Sequence, residues 1–455
     1  MTSPEENPST APDPVVRKLV RDEIPNSSIH QDALRVLSRL TRAGYEAYLV
    51  GGCVRDLMLG RRPKDFDLAT SAHPRQVKRL FRNGRIIGRR FKLVHVVYGR
   101  HVIETATFRG EPSATGSDED DLLITDDNTF GTAGEDAVRR DFTINGLFLD
   151  PFKRVVIDYV GGLEHLESGV LTTIGDPRVR MAEDPVRILR AIKFATRLGF
   201  RISDSTWDAM CEQAGELVRS APPRVLEEIL RILRSGTALG AIRMMRASGA
   251  LKTLLPTIDE YLGARDDPDP VAHDRADAYW RLLEALDSDV HNGRQPTGAV
   301  CVAAAFLRIV EQEADPKTRT LPGEPPDLYT VTGEVLGPIA EQNRLSRKDL
   351  LRARRIIANQ PRFTQTGGRR FKPVLFMRGE DFKESLWLFR LRSAAWGQGW
   401  DIYEGWVERY EQALQVSVDD LDVMRKKGGR RRRRPRRKRT SGSRGEDSAP
   451  GTEAG

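Results

Sequence analysis

Two aspartates one residue apart, Asp65 and Asp67 in "DFDLAT", have a spacing that could do chemistry. In an extended strand, side chains two apart share a face, with alpha carbons about 6.6 Å apart. Carboxylates so close repel unless protons or cations neutralise them. Magnesium is the natural partner, because it prefers hard oxygen ligands. Upstream lies "LVGGCVRD". Gly51 and Gly52 let the backbone approach a triphosphate, and they open onto a helix N-terminus, which favours anions. Arg55 could bind phosphate, and Asp56 could orient Arg55 or hold a ribose. A lone DxD or a lone GG is usually a turn. In this order and at this spacing they point to nucleotidyl transfer.

Three further groups belong to the same chemistry. Glu104, in "VIETATFRG", is a single acid in a run otherwise built for a core. Metal ligation beside Asp65 and Asp67 would explain it, and so would an edge strand with one wet face. In "RRDFTINGL", Asp141 and Asn145 lie four apart, on one face of a helical turn. Arg139 and Arg140 can grip phosphates bidentately. Asp141 could orient an arginine, serve as a further active-site acid, or cap a helix. In "EDPVRILRAIKF", Asp184 and Arg187 share a helical face that Arg190 continues. A carboxylate and a guanidinium held together can read a base edge, although a surface ion pair has the same spacing.

Elements must position these groups. "EAYLV" reads as a buried strand, "VRDLMLG" as a short helix and "DFDLAT" as a second strand. "KLVHVVYG" and "HVIETATF" read as strands around a turn at Gly99 and Arg100, with His95 as a core residue. Residues 111–134 are acidic and read as a mobile loop. Beyond Leu171 the period turns helical, with "AEDPVRILRAIKFATRLGF" as one amphipathic helix. "DPDPVAHDRAD" reads as a loop, so His273 and Asp274 are not metal ligands. Trp387, Trp396, Trp400 and Trp406 are expected mostly in the core.

The chain of 455 residues is 39% hydrophobic and 30% charged, with net charge +8. Twelve Lys or Arg and no acid lie between Arg425 and Arg439, so the rest is acidic on balance. That tail suits a polyphosphate partner such as RNA, bound in a salt-sensitive way. Three scattered cysteines, the lack of a secretion-type start and the lack of a long apolar run fit a cytoplasmic protein without a membrane span.

The motifs "LVGGCVRD", "DFD", "RRDFTINGL" and "EDPVRILRAIKF" together resemble the class II nucleotidyltransferases, the superfamily of bacterial poly(A) polymerases and CCA-adding enzymes. "GRRFKLVHVVYGRHVIETATFRG", "RLSRKDLLRARRIIANQPRF" and the arginine-rich tail are similar to the poly(A) polymerase branch. The resemblance implies an α+β chain: a small mixed nucleotidyltransferase head with a β-sheet, an elongated all-α body and a disordered basic tail. The expected division is 1–28 disordered leader, 29–170 catalytic head and 171–236 neck with a nucleobase-recognition helix. It continues with 237–365 helical body, 366–424 C-terminal helical RNA-binding region and 425–455 tail. The implied reaction is template-independent transfer of AMP from ATP to RNA 3′ ends, releasing pyrophosphate, with CCA addition to tRNA as the alternative. Two magnesium ions would sit on Asp65 and Asp67, with Glu104 or Asp141 completing the acids. Gly51, Gly52, Arg55, Asp56, Arg139, Arg140 and Asn145 would serve the nucleotide, and Asp184, Arg187 and Arg190 its base. CCA-adding enzymes carry a Glu-Arg pair in a later helix, whereas "PPRVLEEIL" keeps Arg224 but has Pro223 before it.

Overall fold

The structure is a computed structural model that describes residues 16–19, 24–88, 92–110, 129–264, 270–323, 327–364 and 371–415. The basic tail and residues 111–128 of the acidic segment lie outside the described residues. The chain divides into two units, Met1–Tyr403 and Glu404–Gly455. The second contributes, among described residues, the end of helix Trp400–Gln415.

The head is built on an eight-stranded sheet. Its strands are β1 (Val16–Leu19), β2 (Ala47–Val50), β3 (Asp67–Thr70), β4 (Gly84–Ile87), β5 (Leu93–Tyr98), β6 (His101–Thr107), β7 (Leu147–Asp150) and β8 (Val155–Asp158), in the order β1-β8-β7-β2-β3-β6-β5-β4. β3 and β6 run parallel and the other pairs are antiparallel, so the sheet is mixed. One face is covered by α1 (Gln31–Arg42), whose Ala33, Val36, Leu37 and Leu40 recur at helical spacing and are fully buried. The opposite face buries Val50, Ala69, Phe108 and Phe148 against Ala133 and Ala137 of α4 (Ala133–Val138). Between them in sequence lie α2 (Gly52–Met58) and α3 (Pro74–Leu80). After β8 come α5 (Gly162–Glu167) and then helices, with a two-stranded ladder of β9 (Val170–Leu171) and β10 (Arg201–Ile202) as the exception.

Several sequence-based expectations are corrected. The leader 1–28 is not structureless throughout: Val16–Leu19 pair with β8, and Ile24 is buried. The acidic loop ends early, because Thr132 and Glu135 form a reciprocal capping box that starts α4 at Ala133. The long neck helix is two helices, α6 (Pro177–Glu183) and α7 (Val186–Leu198). Asp184 precedes Pro185, which disfavours helical backbone there, and Asp184 takes φ −151° and ψ 86°. Conversely "DPDP" does not open a long loop: Pro270 starts the helix Pro270–His291, so His273 and Asp274 sit exposed on a helix. The body continues through α8 (Asp204–Gln213), α9 (Pro222–Leu233) and further helices, including Gly298–Ala314 and Phe382–Trp396. Trp387 is only partly buried, and its Nε1 donates to Asp289 at 2.7 Å. Among the described residues no helix is long and apolar enough to cross a membrane.

Candidate active site

The parallel register sets Asp67 of β3 directly beside Glu104 of β6. Paired residues in adjacent strands share a face, with backbones about 4.8 Å apart. Asp65 lies two residues before Asp67. Burial, then the neighbouring Glu104 carboxylate, pushes the Asp67 carboxyl from 3.8 up to about 6; Arg140 opposes this and Asp65 adds to it. Three hard-oxygen side chains in mutual repulsion are the donor set a divalent ion fits. Glu104 also faces His95, its partner on β5, with Nε2 3.3 Å from Oε1. His95 was expected in the core, and its position was readable: a turn at Gly99–Arg100 pairs residue 95 with residue 104.

The glycine turn abuts this group, since Val50 at its entry pairs with Asp67. Gly51 has φ 71° and ψ −132°, a conformation that L side chains rarely adopt, and an added Cβ would lie 2.9 Å from Arg140 Nη1. Arg140 is placed by Asp136, a buried acid the sequence reading did not single out: Nη2 and Nε donate to Oδ2 at 2.8 and 3.2 Å. Arg109 holds the other oxygen of Asp136 at 3.2 Å. The Arg140 guanidinium thus stands beside the glycine turn, with Nη1 also donating to the Asn145 carbonyl at 3.4 Å. Gly51→Ala should therefore raise the KM for the nucleotide by about 10-fold or more and cost about 1–3 kcal/mol of stability. Steady-state kinetics and denaturant melts check both.

Cys53 opens onto none of this chemistry. Burial, then Asp67, pushes its thiol up to about 12, and it stays protonated, donating to the Val50 carbonyl at 3.2 Å.

The remaining predicted residues separate by role. Arg55, expected at a phosphate, is 2% exposed; its Nε and Nη2 donate to Asp56 at 2.9 and 2.7 Å, and its Nη1 to Asn145 Oδ1 at 2.7 Å. Asp56 and Asn145 are likewise buried, so the three lock α2 onto the loop before β7. Asn145 Nδ2 donates to Asp141 at 3.0 Å, as the i, i+4 spacing suggested, although within a 3-10 turn. Asp141 also accepts from Arg190 Nε at 2.8 Å and from the Phe142 backbone at 2.8 Å. Although burial opposes it, Arg190 and these hydrogen bonds hold the Asp141 carboxyl well below the usual range. Asp141 is thus held ionised by its neighbours, whereas burial and the Glu104 carboxylate favour a proton on Asp67.

The neck reaches back to the head. Arg180 donates to the carbonyls of Arg139 and Arg140 at 2.7 and 2.8 Å, and to Glu183 at 2.6 Å. Arg187, 8% exposed, shares Glu183 at 3.2 Å and also donates to the Arg180 carbonyl. Asp184 accepts both Nη1 and Nη2 of Arg224 from α9, at 3.0 and 2.7 Å.

Residues 47–172 match the family described as Poly A polymerase head domain, and residues 199–262 match the one described as Probable RNA and SrmB- binding site of polymerase A. These two stretches are therefore similar to the head and a following domain of poly(A) polymerases. Poly(A) polymerase I of Salmonella typhi is 43% identical over 289 residues, 62% of this chain and 61% of that one. Poly(A) polymerase I of Haemophilus influenzae is 40% identical over 55% of this chain and 57% of its own length. The CCA-adding enzyme of Geobacillus sp. (strain WCH70) is 35% identical, over 56% and 60%. The chain thus spans about three-fifths of the length of the curated relatives it matches. In fold it is similar to the Bacillus stearothermophilus CCA-adding enzyme solved with CTP, with TM-score 0.62 and 24% identity over 88% of this chain and 87% of that one.

Proposed function

We propose that this protein is a template-independent polynucleotide adenylyltransferase that adds AMP from ATP to RNA 3′ ends and releases pyrophosphate. The observation that carries the reading is the group of Asp65, Asp67 and Glu104 abutting the Gly51 turn, in a chain 40–43% identical over its matched part to proteins named Poly(A) polymerase I.

Asp65, Asp67 and Glu104 would hold two magnesium ions. Bound there, the ions would acidify the RNA 3′-hydroxyl and offset charge on the triphosphate and leaving pyrophosphate. Gly51 and Gly52 admit the phosphates, while Arg139 and Arg140 contribute positive charge. Arg55, Asp56 and Asn145 position the turn from beneath. Asp141 is a positioning residue: it anchors Arg190, and through it the neck, to the head. Asp184 and Arg187 read the adenine edge, with Arg190 beside them. The helices after the neck and the basic segment Arg425–Arg439 hold RNA mainly through its backbone.

Arg224 fixes the angle at which Asp184 meets a base. Arg224→Ala should loosen selection, raising CTP use relative to ATP by about 10-fold, or ~1.4 kcal/mol of discrimination. Arg224 is partly exposed, so stability should change by less than about 1 kcal/mol. Competition between ATP and CTP in primer extension measures this directly.

The second reading, CCA addition to tRNA, rests on the fold likeness and on relatives 35–38% identical. Extension of an RNA primer with one nucleotide at a time separates the two. Repeated AMP addition to a generic 3′ end is expected. Efficient CMP addition to tRNA lacking its terminus, then arrest after one AMP, would overturn the adenylyltransferase reading.

A further inference from the structure

We infer that His30, Asp32 and His101 form a three-ligand site for a transition metal of the zinc class, on the sheet face opposite the catalytic acids. His30 caps α1, Asp32 lies in its first turn, and His101 is the first residue of β6, so only the fold brings them together. One ligand atom from each residue lies within 4.8 Å of the other two.

The spacing fits coordination better than hydrogen bonding. Asp32 Oδ2 is 3.6 Å from His30 Nδ1 and 3.5 Å from His101 Nδ1. Both distances exceed the usual hydrogen-bond range of about 2.7–3.2 Å. Tetrahedral zinc with bonds of about 2.0–2.2 Å puts its ligand atoms about 3.3–3.6 Å apart. The two imidazoles stand nearly perpendicular, 4.4 Å between centroids and 87° between planes, so they do not stack. His30 Nδ1 accepts the Asp32 backbone N–H at 3.2 Å, a cap bond that an ion bound at this nitrogen would displace.

The surroundings set the site's character. Arg35 donates to the other Asp32 oxygen, Oδ1, at 2.8 Å and leaves Oδ2 toward the histidines. This fixes the ligand from outside, as outer partners of metal sites do. The Arg35 side chain is mostly in solvent, which screens its charge. The exposed His101 gives the ion a way in and leaves a fourth position for water. Imidazole donors favour zinc, cobalt or nickel over magnesium, which separates this site from the all-oxygen acids.

A bound ion would tie the start of α1 to the start of β6, the strand that carries Glu104. His30 also lies 6.4 Å from the ring of Phe66, the residue between the two catalytic aspartates. The site is therefore a clamp on the scaffold beneath the acids.

The test is a titration of the full chain with Co2+ alone, in excess Mg2+ to saturate the oxygen site, followed by visible absorption. One equivalent of Co2+ with the intense bands of low-symmetry four-coordination is expected, displaced by Zn2+. His101→Ala, at an exposed strand end, should lower that affinity more than about 10-fold, with an unchanged circular dichroism spectrum. Asp65→Ala/Asp67→Ala should keep the bands. Absence of the bands, or equal binding by His101→Ala, overturns the proposal. Neither result bears on AMP transfer.

Discussion

Asp67→Asn should abolish AMP transfer while making the metal-free protein more stable above pH 6. The two effects have one cause. Burial and the Glu104 carboxylate raise the Asp67 carboxyl from 3.8 to about 6. Between those values the folded chain keeps a proton that the unfolded chain has released. Stability therefore falls as pH rises through that window, and the loss is complete above about pH 6. The upper limit of that loss is about 3 kcal/mol, at 1.36 kcal/mol per tenfold in proton affinity. Asparagine keeps the shape and removes the charge, so the penalty disappears. Catalysis should fall at least about a thousandfold, ~4 kcal/mol of barrier, because a metal ligand has gone. Thermal melts in EDTA from pH 4 to pH 8, for both proteins, show the first effect, and primer extension shows the second. In saturating Mg2+ the stability advantage of the variant should shrink, since the ion neutralises the acids of the wild-type protein. A variant that is inactive and also less stable at pH 7 would mean that Asp67 is structural.

Glu104→Gln and Asp141→Asn should fail in different ways, and the difference assigns the third acid. Glu104 sits beside Asp67 and raises its carboxyl. Its replacement should cut the rate about a hundredfold or more at unchanged or slightly higher stability, and the metal-free melting profile should lose part of its decline toward neutral pH. Asp141 is held by Arg190, Asn145 and the Phe142 backbone. Its loss strands a guanidinium and should cost about 3 kcal/mol; partial exposure of Arg190 keeps this at the low end for buried pairs. The pH signature is inverted. The Asp141 carboxyl is held below its ordinary value, so its contribution is present above the ordinary carboxylate range and is lost as pH falls through and below it. Acid melts of wild type and Asp141→Asn should therefore converge. An Asp141→Asn protein of full stability without activity, beside a nearly normal Glu104→Gln, would exchange the two roles.

The acids were legible because strand chemistry is local. The turn at Gly99 fixed the hairpin that carries Glu104, whereas the strand expected to carry both aspartates begins only at Asp67 and leaves Asp65 at a bend before it. Other contacts depend on chain partners that a linear pattern does not reveal. The locking of Arg55 by Asn145 spans ninety residues, and the hold of Arg224 on Asp184 spans forty. Asp136 sat beside a segment read as loop, so its grip on Arg140 was hidden. The break at Asp184 was available from Pro185 but lost to the strong apolar period around it. β1 was missed because four residues without a turn signal become a strand only when β8 offers an edge.

The central claim is that Asp65, Asp67 and Glu104 gather divalent ions beside a nucleoside triphosphate at the Gly51 turn. Crystals grown with Mn2+ and a non-hydrolysable ATP analogue test it through anomalous scattering at the manganese edge. Two manganese peaks among those carboxylate oxygens, with the triphosphate against Gly51 and Gly52, are predicted. Nucleotide bound with no manganese at these acids, or with its phosphates elsewhere, would contradict it.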